Sequence, residues 1–396
     1  MRLLSVIHGP VYGGAHNQMI QLARPLAEHG WETTALVPVE ADITRGRLEE
    51  AGIETIGIPL HRMRATPNPR VQLPFLATLP REIRAIRRVV RERGIDLVQA
   101  HGPTNPHAAL AAHREGVAVN WQIYDTVAPP PLRRLTMPLV VRIADVITTW
   151  GLELARVHPP ALRLGERLVP IFPPVDASRF RPDPERRAAA RAELGLDDDS
   201  IAIGNVGNRN PTKGHEWLAR AAAALIVRHP NLRVRILGAP SPVHASYEAS
   251  VRAEANALGL TDDDKLTFTD PGMRVAELLP AFDIFVISSV PRSEGIPTVI
   301  FEAMATGIPV VTTRVGAVRE VIEDGFNGWV VPPEDTPAMT AALEPLLRDP
   351  ELRERVGRQA RQRVVERYDL DRCAERHLHA FELALAHRRA RNGANN

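Results

Sequence analysis

Short apolar runs alternate with stretches of helical periodicity along nearly the whole chain. Leu3–Ile7, Thr33–Val37, Ile53–Ile58, Leu97–Ala100, Val117–Ile123 and Val146–Thr149 are largely apolar at successive positions, as strands buried on both faces must be. Gln18–His29, Pro80–Arg93, Ala108–His113 and Pro138–Ala144 carry helical spacing between them, and Gly30 and Gly94 stop two of these helices. A βα rhythm of this kind predicts a parallel sheet covered by helices.

The rhythm breaks at the proline-rich Leu168–Asp176, which reads as a linker running into a loop to Pro184. It restarts at Ile201–Gly204 and continues through Glu216–Val227, Val234–Leu237, Tyr247–Leu258, Leu266–Thr269, Ile284–Ile287 and Val310–Thr312 to Gly328–Val331, with helices from about Ala338. A chain of 396 residues exceeds what one core serves. The expectation is an α/β protein of two doubly wound, Rossmann-like domains facing across a cleft: residues 1–172 bind one substrate and 173–365 the other. Residues 366–396 read as a C-terminal helix packing back toward the first domain, with a flexible tail.

Composition removes several classes. Cys373 is the single cysteine, which rules out a disulfide framework and a cysteine-based metal site. The N-terminus lacks a signal-peptide layout and no apolar run reaches membrane-spanning length, so a soluble cytoplasmic protein is expected. A net charge of +2, with arginine dispersed and no interleaved aromatics, argues against nucleic-acid binding. Weak peripheral contact with the inner face of a membrane, through the basic helix Arg81–Arg93, stays open as an alternative.

Two glutamates frame the most informative motif. Glu294-Gly295-Ile296-Pro297-Thr298 follows the apolar run Phe282–Ser288, and Glu302 falls in the first turn of a helix beginning near Thr298. Both carboxylates would then stand above the carboxyl end of a strand, where open α/β sheets bind ligands, and suit the hydroxyls of a sugar and a ribose. Upstream lies Gly204-Asn205-Val206-Gly207-Asn208-Arg209-Asn210-Pro211-Thr212-Lys213-Gly214. Lys213 is one of only two lysines in the chain, the other being Lys265. A compact ammonium in a glycine-rich loop suits a phosphate, with Arg209 as a second cation and Gly204 and Gly207 permitting close backbone approach. Gly13-Gly14, between the first strand and helix, would admit a ligand to backbone amides. Neither the dinucleotide fingerprint nor a P-loop is present, and no metal site is expected.

These residues resemble the retaining glycosyltransferases of family GT4, which have the GT-B fold. The resemblance runs from Gly13-Gly14 to the final helices and is sharpest from Ser293-Glu294-Gly295-Ile296-Pro297 to Glu302-Ala303-Met304-Ala305-Thr306-Gly307. It implies that Glu294 contacts donor-sugar hydroxyls, that amides near Gly295 help bind the donor, that Glu302 accepts hydrogen bonds from the ribose, and that Lys213 binds the diphosphate. It implies a bacterial hexosyltransferase, metal-independent and without cofactor, moving sugar from a nucleoside-diphosphate sugar to a small hydroxyl-bearing acceptor with same-face attack. The donor contacts assigned on this basis are Gly14, Gly207, Asn208, Arg209, Lys213, Glu294, Gly295, Ile296, Pro297, Thr298 and Glu302. Catalytic roles fall to Lys213, Glu294, His101 and Asp125. The chain departs from the family in two places. Asn208 stands where an arginine is usual, and Tyr124-Asp125 stands where a histidine is usual, leaving His101 and His8 as the nearest imidazoles. A nucleotide-sugar epimerase and a non-catalytic nucleotide-sugar-binding protein are the alternatives.

Overall fold

The computed structural model describes residues 1–10, 12–63, 68–124, 129–261, 264–291 and 295–394, the side chains of Pro69 and Val71 excepted. The chain forms two compact units, Met1–Pro174 with Leu370–Asn396, and Val175–Asp369.

Seven strands build the sheet of the first unit: β1 (Arg2–Val6), β2 (Glu32–Pro38), β3 (Glu54–Ile58), β4 (Leu97–His101), β5 (Ala118–Ile123), β6 (Val146–Trp150) and β7 (Leu168–Ile171). Their order is β3-β2-β1-β4-β5-β6-β7, and every pairing is parallel. The second unit has β8 (Ile201–Val206), β9 (Leu232–Leu237), β10 (Leu266–Thr269), β11 (Ile284–Ile287), β12 (Val310–Thr313) and β13 (Gly328–Val331), in the order β10-β9-β8-β11-β12-β13. Both sheets are therefore doubly wound. In each, the direction of winding reverses once, between β1 and β4 and between β8 and β11.

Leu168–Ile171, expected within a linker, is instead the edge strand β7. Its Pro170 lacks an amide hydrogen, which an edge position tolerates because only β6 pairs with it. The helix expected from Pro80 begins eleven residues earlier and spans Pro69–Glu92, with Pro74 and Pro80 inside it. Both prolines are exposed, so the carbonyls they leave unpaired can be solvated. Glycine and proline near the first turn likewise hid the true starts of the helices Gly14–Glu28 and Pro130–Ile143.

The helix Leu370–Gly393 belongs to the first unit through a buried carboxylate. Asp145, fully buried, accepts from His387 Nδ1 at 3.0 Å, Arg388 Nε at 2.8 Å and the Val119 amide at 2.9 Å. Phe381 packs against Trp31 with ring centroids 5.0 Å apart. In the second unit, Leu218 and Leu225 of the helix His215–Ile226, and Leu343 and Leu346 of the helix Thr336–Arg348, close over Ile203, Val234, Ile284 and Val286.

Gly204 is a packing glycine rather than a ligand-facing one: a Cβ there would lie 2.1 Å from Phe282 Cδ2. Gly204→Ala is expected to cost about 1–3 kcal/mol of stability in urea denaturation, as overpacking does. Phe282→Leu on the same background should recover part of that loss. Equal stability of Gly204→Ala and the parent would remove this account of the residue.

Candidate functional site

The carboxyl ends of β8 and β11 flank the reversal point of the second sheet, the place where open α/β sheets leave a crevice for ligands. The loop after β8 is fixed there by close backbone approaches. Gly207 N donates to Leu237 O at 2.9 Å, and a Cβ on Gly238 would meet Gly207 O at 2.0 Å. Asn210 Oδ1 accepts from the Thr212 amide at 2.9 Å and caps the short turn Pro211–Lys213. Gly214 has φ +57°, and a Cβ there would lie 2.3 Å from Ser288 O. Ser288 Oγ donates to Lys213 O at 2.9 Å, and the Val290 amide to Thr212 O at 2.9 Å. The loop after β8 is thus stitched to the residues that follow β11. The stem of Lys213 crosses Gly207, whose missing side chain makes room for it: a Cβ would stand 3.2 Å from Lys213 Cδ.

Arg209 points away from this arrangement. It is buried, its Nη1 lies 2.7 Å from Glu248 Oε1, and its guanidinium sits 5.6 Å from the Phe268 ring centre. Asn208, beside it, is exposed.

After β11, Gly295, Ile296 and Pro297 are buried and Thr298 half-buried, leading into the helix Val299–Ala305. Gly295 O accepts from the Ala317 amide at 3.1 Å, and Gly316 approaches so closely that its Cβ would fall 1.2 Å from Gly295 O. Glu302 lies in the first turn of that helix, half-buried. Burial raises its carboxyl from the usual 4.5 to about 7, with Arg179 opposing the shift. Glu294 lies outside the described residues.

In the first unit the reversal point lies between β1 and β4, and four imidazoles gather around it. His8 follows β1, and His16 lies in the first turn of the helix Gly14–Glu28. His101 ends β4, and His107 opens the helix His107–Arg114. All four are buried. Gly13 is the N-cap and Gly14 the first helical residue, and the Gly13 amide donates to His16 Nδ1 at 3.2 Å. His8 and His107 pack with centroids 4.5 Å apart and their planes tilted by 37°, and His107 Nε2 lies 3.1 Å from Glu82 Oε2. Glu82 is itself buried and takes His61 Nδ1 at 2.6 Å.

His101 Nε2 contacts Ser5 Oγ at 2.9 Å and Gln99 Nε2 at 3.3 Å; the amide donor there requires Nε2 to accept, so the proton sits on Nδ1. Both nitrogens of His8, Nε2 of His16 and Nδ1 of His101 are buried without a hydrogen-bond partner among the described residues. Burial is the main cause holding all four below the ordinary 6.5: His101 near 3, His16 and His107 near 4, and His8 well below 6.5. At neutral pH this crevice offers uncharged imidazoles. Such groups donate and accept hydrogen bonds but do not hold a proton. Tyr124 stands beside His101, ring centroids 5.8 Å apart, and Asp125 lies outside the described residues. Sequence reasoning reached His8 and His101 but missed His16, His107 and Glu82. Their spread over 91 residues leaves no local motif, although two histidines at strand ends and a third just after a glycine pair were a usable signal.

Two Rossmann-like units with crevices at their reversal points define a protein of the GT-B class. The structure is similar to a glycosyltransferase from Rickettsia africae (TM-score 0.82, 17% identity, 97% of this chain and 98% of that one). It is equally similar to Anabaena Alr3699/HepE solved with UDP (TM-score 0.82, 19% identity, 96% and 100% covered). Residues 186–363 match the family model of glycosyl transferases group 1, and residues 13–174 match that of the glycosyl transferase 4-like domain. A D-inositol 3-phosphate glycosyltransferase of Acidothermus cellulolyticus is 30% identical over 95% of this chain and 87% of its own length. The chain belongs to the group 1 glycosyltransferases, family GT4. It spans about half the length (54%) of another relative, the D-inositol 3-phosphate glycosyltransferase of Saccharomonospora viridis, at 34% identity over 61% of this chain.

The raised pKa of Glu302 has a thermodynamic sign. The folded state holds this proton more tightly than the unfolded chain, so the contribution to stability is full below 4.5 and is lost as pH rises through about 7. Glu302→Gln is expected to match the ligand-free parent in melting temperature at pH 5 and to exceed it by a few degrees at pH 8. Parallel melting curves across that range would show that the carboxyl is not held in its neutral form.

Proposed function

We propose that this protein transfers a glycosyl group from a nucleoside-diphosphate sugar to a hydroxyl of a polyol acceptor, with retention of anomeric configuration. The observation that carries the reading is the stitching of the Lys213 loop to the segment after β11 by Ser288. That contact ties the loop carrying the proposed diphosphate cation to the segment after β11 that leads into the helix of the proposed ribose carboxylate, which supports one donor site at this reversal point. UDP and UDP-glucose occupy the solved Anabaena protein, and D-inositol 3-phosphate names the acceptor of the relatives. Both serve as guides to the substrate classes proposed for this chain.

In this reading the second unit holds the donor. Lys213 stands against the diphosphate, the amides around Gly295–Thr298 help to hold it, Glu294 meets the sugar hydroxyls and Glu302 the ribose. As the bond from the anomeric carbon to the diphosphate oxygen breaks, negative charge grows on the leaving group beside the Lys213 ammonium, where a fixed cation acts most strongly. The acceptor oxygen forms its bond on the same face, and its proton passes to the departing diphosphate oxygen. No side chain has to act as a strong base, consistent with imidazoles too deeply buried to take up a proton. The first unit holds the acceptor at the β1/β4 crevice, where His8, His16 and His101 can meet hydroxyls. Arg209 is left out of the diphosphate site because Glu248 already neutralises it.

Incubating UDP-, GDP-, ADP- and dTDP-sugars with a library of inositols, inositol phosphates and sugars, followed by mass spectrometry and anomeric NMR, tests the activity. A retained-anomer product is expected; donor isomerisation without acceptor would replace the reading with an epimerase. Lys213→Ala is expected to lower kcat at least a hundredfold, the scale for removing one transition-state charge partner. Unchanged turnover would remove Lys213 from the chemistry. Two ribose hydroxyls donating to both carboxyl oxygens of Glu302 require its ionised form. Affinity for the preferred nucleotide sugar should therefore rise about tenfold from pH 6 to pH 8 in the parent and stay flat in Glu302→Gln. Calorimetry showing the same pH profile for both would dissociate Glu302 from the ribose.

A further inference from the structure

Strands buried on both faces should be apolar throughout, yet one face of the first sheet is not. Ser5 on β1, Gln99 and His101 on β4 and Gln122 on β5 are all buried there. Ser5 stands opposite Gln99 and His101 opposite Gln122 in the parallel register, and Gln99 and His101, two residues apart on one strand, share a face. Gln18 of the helix Gly14–Glu28 and His377 of the helix Leu370–Gly393, both buried, join them. Buried polar side chains are costly unless hydrogen-bonded, and these form one series of bonds.

A main-chain carbonyl sets the direction of the series at one end. His377 Nδ1 lies 2.8 Å from Cys373 O, which can only accept, so Nδ1 carries the proton. Burial is the main cause holding His377 near 4, so at neutral pH its Nε2 is a bare acceptor. Gln18 therefore turns its amide nitrogen toward that Nε2, at 3.5 Å, since its oxygen would face a second lone pair. Gln18 Oε1 then accepts from Gln122 Nε2 at 2.7 Å, and Gln122 Oε1 from Gln99 Nε2 at 2.6 Å. Each amide is oriented by the one before it. The last presents its N–H side to His101 Nε2, at 3.3 Å, with the Ser5 hydroxyl 2.9 Å from the same atom. His101 Nε2 must accept, and Nδ1 becomes a buried N–H with no partner among the described residues. It stands at the end of β4, beside the reversal point where a ligand is expected, and a buried donor in that condition calls for an acceptor.

We propose that this series positions His101: resting on the glycosyl-transfer reading above, the Cys373 carbonyl, acting through His377, Gln18, Gln122 and Gln99, keeps the proton of His101 on Nδ1, and this N–H donates to a hydroxyl oxygen of the polyol acceptor. The alcohol is then held by its lone pair and keeps its own proton, which stays free to pass to the departing diphosphate. Gln99, Gln122, Gln18 and His377 are positioning residues.

Histidine labelled with nitrogen-15 in the full chain reads the tautomer by NMR without turnover, the His101 signals being those lost in His101→Asn. At pH 7 the parent is expected to carry the proton on Nδ1. Gln99→Leu lets the Ser5 hydroxyl accept from Nε2, and Gln99→Glu places an acceptor where the amide donor stood, so both should move the proton to Nε2. A proton on Nε2 in the parent would overturn the assignment even where neither variant folds, and so would an unmoved proton in both folded variants. Adding inositols and inositol phosphates together with UDP, GDP or ADP should shift the Nδ1–H signal of the parent. Gln99→Leu should bind the same polyol about fivefold more weakly, the scale of one hydrogen bond, while its nucleotide affinity in calorimetry stays at the parent value. No shift with any polyol, an unchanged polyol affinity in Gln99→Leu, or an equal loss of nucleotide affinity would each overturn the role in acceptor binding. Absent glycosyl transfer beside an Nδ1-protonated, polyol-sensitive His101 would remove the activity and leave this inference standing; transfer with His101 protonated on Nε2 would do the opposite.

Discussion

Each sheet contains one pair of neighbouring strands whose connections leave in opposite directions, and the functional anatomy follows from that reversal. Helices that diverge from a common point leave strand ends uncovered and loops free to face a ligand. β1 and β4 form the pair in the first unit, and β8 and β11 in the second. In the second unit the crevice is held by backbone touching backbone: Gly214 on Ser288, Gly238 on Gly207, Gly316 on Gly295. Three glycines there are positional requirements, because any side chain would push apart the loops that carry Lys213 and lead to Glu302.

The two crevices differ in electrostatics. The second unit places an ammonium on one side and, on the other, a carboxyl that burial keeps partly protonated near neutrality. The first unit surrounds its crevice with imidazoles that burial keeps neutral. One is arranged to meet charge and the other to exchange hydrogen bonds with uncharged groups. The proposed reaction uses that difference, with the leaving group gathering negative charge in the second crevice and an uncharged alcohol in the first.

The βα rhythm made the fold legible, because strands buried on both faces have to be apolar at successive positions, as Ile284–Ile287 are. Local exceptions hid what the rhythm could not carry. Pro170 disguised an edge strand, and Pro74 and Pro80 concealed the first turns of a long helix. Gly204 looked like a ligand-facing glycine because the Phe282 ring that fills its space comes from 78 residues away. The motif around Glu302 and Lys213 was readable because it lies on two continuous stretches. The pairing of Arg209 with Glu248 and the meeting of His8, His107 and Glu82 depend on tertiary contacts that no spacing announces. Glu294 and Asp125 fall outside the described residues.

Asp145 imposes an order of events on synthesis. This carboxylate has its hydrogen-bond partners His387 and Arg388 at the far end of the chain, and a buried carboxylate without partners is strongly unfavourable. Residues 1–174 leave the ribosome more than two hundred residues before those partners do. The second unit is continuous in sequence and has all its own residues available first. Asp145 can therefore be fully paired only after every residue of the second unit has been made.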